Sequence, residues 1–314
     1  MSGGPLVSVV MPTRDRAPWV ERAVESVLAQ TYPRLELIVV DDGSRDETPR
    51  VLERFGSRIA VLSQAPAGVY AARNLALRHA SGELLAFIDS DDAWHPRRLA
   101  SQLALMQRPE VGLVFGDAVL VSPRAGALPR TCFDVTPPRR GRVAGDFAWG
   151  NFVPTSTVLV RRSCLDQVGG FPTSHSVSAD YLTWFRIALR HEFDYVDGPV
   201  ADYTLNDTGI SHDLGRSLLA RIELFSTELR RTTDPAVRAV LERLIFNLGL
   251  HLGLAAVRGR ARHVPGAWGV VGRTMMVAAP RHLASWAAAF ALRQSRVRTA
   301  RRLRATRARA RAMA

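Results

Sequence analysis

The most constraining feature of this chain is a repeated unit: a short apolar run that closes in polar or acidic residues, then an amphipathic stretch. "PLVSVVMPT" (5–13) is rich in β-branched residues and reads as a first strand. "APWVERAVESVLAQTYP" (17–33) then puts Val20, Val24, Val27 and Leu28 on one helical face, with Pro18 near its start and Pro33 just past its end. "LELIVVDDGS" (35–44) is almost continuously apolar before its acids, as a strand covered on both faces would be. "PRVLERFG" (49–56) reads as helix, "IAVLSQ" (59–64) as a short strand, and "GVYAARNLALRHASG" (68–82) as a helix ended by Gly82. "ELLAFIDSDDAW" (83–94) completes the series with a strand that stops in Asp89, Asp91 and Asp92. This alternation predicts an α/β fold with a mostly parallel sheet and right-handed crossovers.

In such sheets ligands sit outside the carboxyl ends of the strands. Thr13 and Asp15, the pair Asp41 and Asp42, and the cluster Asp89, Asp91 and Asp92 all fall at those ends, so three strands deliver acids to one pocket edge. Carboxylates this close repel one another unless a cation joins them. A D-x-D pair on a turn presents two carboxylates to one divalent ion and leaves positions for water and phosphate oxygens, the arrangement Mg²⁺ or Mn²⁺ favours. The competing readings are a solvated acidic turn for Asp89–Asp92 and an Asx turn before Gly43 for Asp41 and Asp42.

The segments "VSVVMPTRDR", "LELIVVDDGSRDET", "AARNLAL" and "LLAFIDSDDAW", in that order, resemble the nucleotide-sugar-binding half of family 2 inverting glycosyltransferases of the bacterial cell-surface glycan type. "NFVPTSTVLVRRSCLDQVGGF" (151–171) resembles the acceptor-side segment of the same family, and the likeness covers roughly residues 5–210. It implies the GT-A fold, a mostly parallel sheet flanked by helices, here followed by a helical C-terminal extension. It also implies a nucleotide-diphosphate sugar donor, a glycan or lipid-linked acceptor, and Mg²⁺ or Mn²⁺. By this resemblance Thr13, Asp15 and Asp42 line the nucleoside pocket, with Asp42 accepting from the base and Asp41 assisting. Arg73 and Asn74 lie near the sugar-nucleotide, Asp89 touches ribose or the metal's water shell, and Asp91 binds the metal. Asp92 supports the turn or caps a helix. The general base falls in "SADYLTWFRIAL", at Asp180, where many relatives carry Glu-Asp and this chain has Ala179 before the Asp. "DTGISHD" (207–213) offers His212 on a loop for diphosphate or acceptor contacts.

Composition matters mainly at the back of the chain. All 42 basic side chains are arginine; residues 1–242 hold 27 of them against 29 acids, while 243–314 hold 15 and no acid. "VPGAWGVVGRTMMVAAPRHLASWAAAFALR" (264–293) is apolar but broken by Arg273 and by Pro280-Arg281-His282, short of the roughly 20 apolar residues a span needs. With the nine arginines of 293–314 it suits an anionic membrane surface. No nucleic acid is expected, since no aromatic-interleaved platform accompanies the arginines. The two cysteines make no disulfide framework, and the start has no basic region before its apolar run, which reads as no signal peptide. The expected organisation is a nucleotide-sugar half over 1–118, an acceptor half over 119–213, a helical region over 214–292 and a tail over 293–314. The expected place is cytoplasmic, peripheral at the inner face of the cell membrane. Two other readings stay open: a sugar-phosphate nucleotidyltransferase, though "PTRDRAPW" lacks a Gly-rich phosphate loop, and a non-catalytic adaptor on a transferase fold.

Overall fold

The computed structural model describes residues 3–174, 177–206, 214–257, 269–272 and 274. The first half alternates as the sequence predicts: β1 (Val7–Thr13), α1 (Ala17–Leu28), β2 (Leu35–Asp41), α2 (Thr48–Glu53), β3 (Ala60–Ser63), α3 (Val69–His79) and β4 (Leu84–Phe87). These strands are all parallel, β2 and β4 flanking β1, with Val7 opposite both Leu35 and Leu84. The continuous apolar runs are explained by burial on both faces. Val10, Ile38 and Val40 join one core with Ala72, Ala76, Trp184 and Phe185. Val9, Met11, Leu37 and Val39 join the other, with Val20, Val24 and Val27 of α1. Each such side chain stabilises the fold by roughly 1.5–3 kcal/mol.

The second half departs from simple alternation. It runs β5 (Ala93–Trp94), α4 (Arg98–Leu105), β6 (Val111–Ser122), β7 (Gly126–Thr131), α5 (Cys132–Val135), β8 (Leu159–Arg161), α6 (Arg162–Gln167), α7 (Ala179–Ala188) and β9 (Glu192–Thr204). The nine strands form one sheet in the order β3-β2-β1-β4-β8-β6-β9-β5, with β7 on β6. β8 enters antiparallel between β4 and β6, so the sheet is mixed beyond β4. The stretch "SPRAGALPR", read as turn and loop, holds β7: Gly126 at φ +71° closes a hairpin that pairs Ser122 with Gly126. Residues 192–204 carry no clear strand signal because Gly198 and Pro199 interrupt them. They nevertheless form β9, since the register of β6 on β9 shifts between Gly116 and Asp117 and Pro199 falls at that irregularity. β6 also runs through position 118, so both halves share one sheet.

Beyond the sheet lie α8 (Leu214–Arg231) and α9 (Pro235–Val257), a helical hairpin. α9 is long and apolar enough to cross a membrane, but 61% of its apolar window is buried inside the protein, with Leu241, Leu244, Phe246 and Leu252 in or near the core. His212, the tail at 293–314, and the apolar 264–293 stretch apart from 269–272 and 274 lie outside the described residues.

Candidate functional site

The carboxyl ends of β1 and β2 are laced together. Thr13 and Asp41 are register partners at those ends. Asp41 Oδ1 accepts from the Ser44 amide at 2.9 Å and from its hydroxyl at 2.5 Å, an Asx turn. Ser44 Oγ in turn accepts from the Asp15 amide at 3.0 Å, and Asp15 Oδ1 accepts from the Arg45 amide at 2.7 Å. Asp15 sits at φ +51°, a left-handed conformation that Asp tolerates better than most residues, and this turns the chain back over the β2 loop. Thr13 Oγ1 is buried there with no hydrogen-bond partner. A buried hydroxyl left alone costs about 1–3 kcal/mol, so this one is poised for a group the protein does not itself supply.

Asp42 also serves the fold. Its carboxylate is 4% exposed and takes three donors from the chain: Gln64 Nε2 and the Ala67 amide at 2.7 Å on Oδ1, and the Gly68 amide at 2.8 Å on Oδ2. It straps the loop that leads into α3. Asp41 Oδ2 takes no hydrogen bond from the described residues.

At the end of β4 three carboxylates crowd together. Asp89 Oδ1 accepts from Arg73 Nη2 at 2.6 Å. Ser156 Oγ accepts from the Asp89 amide at 3.0 Å and donates to Asp92 Oδ2 at 2.5 Å. Asp92 Oδ1 accepts from the Thr204 amide at 2.8 Å, so Asp92 ties the turn to β9 rather than capping a helix. Asp91 Oδ2 lies 3.6 Å from Arg16 Nε, and its carbonyl accepts from Arg22 Nη2 at 3.0 Å. Burial, with the charge of Asp89 added, pushes the Asp91 carboxyl above its ordinary value against the pull of Arg16. Burial, then the charges of Asp89 and Asp91, pushes Asp92 up further.

Asp180 lies in the first turn of α7, whose N-terminal neighbour Ser178 sits at φ +62°. Its carboxylate is clasped from two sides, Tyr70 donating to Oδ1 at 3.0 Å and Thr155 Oγ1 to Oδ2 at 2.7 Å. Arg73 links this carboxylate to the β4 acids. It is 3% exposed, its guanidinium lies over the Tyr70 and Phe171 rings at 5.4 and 5.6 Å, and its Nε has no partner. Burial opposes its charge, yet Asp89 and, less strongly, Tyr70 and Asp180 outweigh burial and hold it more basic than usual. Asn74, expected beside the sugar-nucleotide, is instead spent on the fold: its amide donates to the Phe171 carbonyl at 2.7 Å and accepts from the Phe171 amide at 3.0 Å. That bracket holds the Gly169–Gly170 turn and hence the ring on which Arg73 rests.

The structure therefore gathers Thr13, Asp15 and Asp41 at the ends of β1 and β2, and Arg73, Asp89, Asp91 and Asp180 around the end of β4, with Arg16 reaching from the first group to Asp91. It adds Arg16, Tyr70, Thr155 and Ser156, which the sequence reading passed over. The "TST" run inside the acceptor-side segment was the available signal for two of them. Among the described residues no three His, Cys, Asp or Glu side chains form a ready-made metal cage.

A mixed sheet with acids at the carboxyl ends of its parallel strands and helices on both faces is the GT-A fold. The chain belongs to glycosyl transferase family 2, whose family model matches residues 8–169. It is 40% identical over 119 residues to the Escherichia coli UDP-Glc:alpha-D-GlcNAc-diphosphoundecaprenol beta-1,3-glucosyltransferase WfgD, covering 37% of this chain and 47% of that one. It is 28% identical over 190 residues to the Haloferax volcanii glycosyltransferase AglE, covering 59% and 61%. The chain thus spans about half to three-fifths of the length of these curated relatives. Among solved structures it resembles the mannosyltransferase PcManGT from Pyrobaculum calidifontis in complex with GDP-Man and Mn²⁺, at TM-score 0.60 and 25% identity over 90% of this chain and 83% of that one. S. aureus TarS 1-349 in complex with UDP-GlcNAc shares the fold at TM-score 0.64 and 18% identity, over 87% and 81%.

Proposed function

We propose that this protein is an inverting, divalent-metal-dependent glycosyltransferase that moves a sugar from a nucleotide-diphosphate donor to a hydroxyl of a lipid-linked glycan of the bacterial surface. The observation that carries the reading is Arg73, one buried guanidinium shared between Asp89 and the surroundings of Asp180. It sets the candidate base beside the acids of the donor side. Family membership and the names of the relatives support the donor and acceptor classes.

The residues fit a hard divalent ion. Asp91 is a mostly buried carboxylate whose pKa is raised, with the Arg16 guanidinium standing where a cation is wanted. Asp91, with Asp89 through water, would hold Mg²⁺ or Mn²⁺, leaving sites for water and phosphate oxygens. When bound, the ion supplies neutralisation of charge on the departing nucleoside diphosphate. Arg16, released from Asp91, is free to meet that diphosphate. Thr13 Oγ1 and Asp41 Oδ2 receive polar groups of the nucleoside. Asp180, fixed by Tyr70 and Thr155, takes the proton of the attacking hydroxyl as that oxygen bonds to the anomeric carbon and the diphosphate leaves from the opposite face. Bond formation and departure occur in one in-line displacement, so the anomeric configuration inverts.

The test is thermal stabilisation by UDP, GDP and their sugars, with and without Mn²⁺, alongside transfer assays. Wild type should respond to one nucleotide series in a metal-dependent way, with about 2.7 kcal/mol at a hundredfold excess over Kd. Asp180→Asn should keep that response and lose transfer by about 10²–10⁴-fold. Undiminished turnover would remove Asp180 from the base role.

A further inference from the structure

A cavity of about 360 Å³ lies apart from the acids, between the 149–151 segment, α7 and the α8–α9 hairpin. Trp149, Tyr181, Leu218, Arg221, Leu248 and His251 are among the side chains around it, and no carboxylate is among its described lining residues. Its size and its apolar walls with a few polar groups suit a small-molecule ligand. Two observations say which kind.

The mouth is apolar on its outer side. Leu214 and Leu254 line the cavity and are also 42% and 50% exposed, and Val257, one turn of α9 further on, is 64% exposed. Leu214 starts α8 and Val257 ends α9, so the three share the open end of the hairpin. Large exposed apolar side chains grouped in this way mark a lipid or protein contact. The charged groups of the cavity, in contrast, are all basic or neutral: Arg221 and His251 line it, and the Arg243 guanidinium lies 5.9 Å from the Trp149 ring. Apolar walls with basic edges and no acid match an amphiphile that carries an anionic group.

The position fits such a ligand as well. Arg221 Nε donates to Ser178 Oγ at 2.8 Å, two residues before Asp180, and Tyr181 follows Asp180 directly. The cavity thus backs onto the candidate base across the first turn of α7. In an acceptor whose sugar is joined through a diphosphate to a polyprenol, the reacting hydroxyl is on the sugar. The lipid must then lie beside the base and not at it.

We infer that this cavity is the binding site for the lipid-proximal end of a polyprenyl-diphosphate-linked acceptor. The first prenyl units contact Leu218, Leu248 and Trp149, and the diphosphate lies on the Arg221 side. The inference rests on the lipid-linked acceptor reading above and adds where the lipid is held.

The experiment titrates the full chain with farnesyl diphosphate, farnesol and inorganic diphosphate, without metal, following heat or tryptophan fluorescence. Farnesyl diphosphate should bind more tightly than either farnesol or inorganic diphosphate, and equal affinity for farnesol would remove the diphosphate from the Arg221 side. Both Leu254→Asp and the cavity-filling Leu248→Trp should weaken farnesyl diphosphate binding at least tenfold. If Leu248→Trp does not fold, Leu254→Asp, at a half-exposed position, carries the test alone. Absence of binding to wild type, undiminished affinity in Leu254→Asp, or displacement by UDP or GDP would overturn the inference. Metal-dependent stabilisation by UDP or GDP, measured on the same variants, should be unchanged. Its absence in wild type would instead count against the donor reading, so the two failures are distinct.

Discussion

The strand ends of β2 and β4 look alike as sequence, an apolar run followed by an acid pair, yet they do opposite work. At β2, Asp42 is filled by Gln64 and two backbone amides and Asp41 by Ser44, so the acids there hold loops in place. At β4, Asp91 and Asp92 are buried beside Asp89, with pKa values pushed up and one arginine at 3.6 Å from Asp91. The first end is held largely by the chain itself, with Thr13 Oγ1 and Asp41 Oδ2 left open among the described residues. The second takes Arg73 on Asp89 and Arg16 near Asp91, yet crowding and burial of three carboxylates still push Asp91 and Asp92 up. Two acid pairs that look alike in sequence thus differ in how closely the fold crowds and buries their charges.

The contrast yields four predictions. Asp91→Asn should lower transfer by about 10²–10⁴-fold, the loss of several kcal/mol of charge stabilisation, without lowering the melting temperature of the metal-free protein. A large drop in that melting temperature would place Asp91 with Asp42 as a structural acid. Asp42→Ala should do the reverse, costing about 3 kcal/mol in urea unfolding because Gln64 and the amides of Ala67 and Gly68 lose their acceptor. A change below about 0.5 kcal/mol would make Asp42 free for ligand and dissolve the comparison.

Arg16→Ala should tighten Mn²⁺ binding about fivefold in the absence of nucleotide, since a partly exposed ion pair of at most about 1 kcal/mol no longer competes for Asp91. Electron paramagnetic resonance of free Mn²⁺ reads this directly, and weaker binding would show that Arg16 shapes the site rather than competes for it. The smallest effect is on pH dependence. Folded-state pKa values raised at Asp91 and Asp92 mean the fold binds more protons than the unfolded chain. Their contribution to stability is present below the ordinary Asp value of about 3.9 and is lost as pH rises through the raised values. Metal-free stability should therefore decline over that window, and Mn²⁺ or Asp91→Asn should flatten the slope. An unchanged slope in Asp91→Asn would assign it to other groups.

The parallel half was legible because its physics is local. Both faces of β1, β2 and β4 are buried, so their apolar runs are unbroken, and the helices between them show their stripes in the sequence. The other half was not. β7 and β9 carry Gly126, Gly198 and Pro199, residues that argue against a strand, and they are strands through pairing with β6 and a shift in its register. The site followed the same division. Acids at strand ends were visible, but Asn74 reads as a polar helix residue and its bracket on Phe171 depends on a turn 97 positions away. Tyr70, Thr155 and Ser156 carry no charge to draw the eye, and only contact with Asp180 and Asp92 gives them a role. α9 likewise reads by composition as a membrane span, whereas most of it is interior to the protein.

The insertion of β8 beside β4 also bears on how the chain comes to be folded. β1 to β4 can pair as soon as they are synthesised, since each crossover is short and complete in itself. β4 then stands at the rim of that nascent sheet until Leu84 meets Arg161, long after, as translation proceeds at about 5–20 residues per second. During that interval Leu84 to Phe87, apolar and fully covered in the finished protein, offer unpaired backbone to any passing strand. The acids that follow β4 give this stretch a charged flank throughout the wait. The same acids would thus act early as gatekeepers against aggregation.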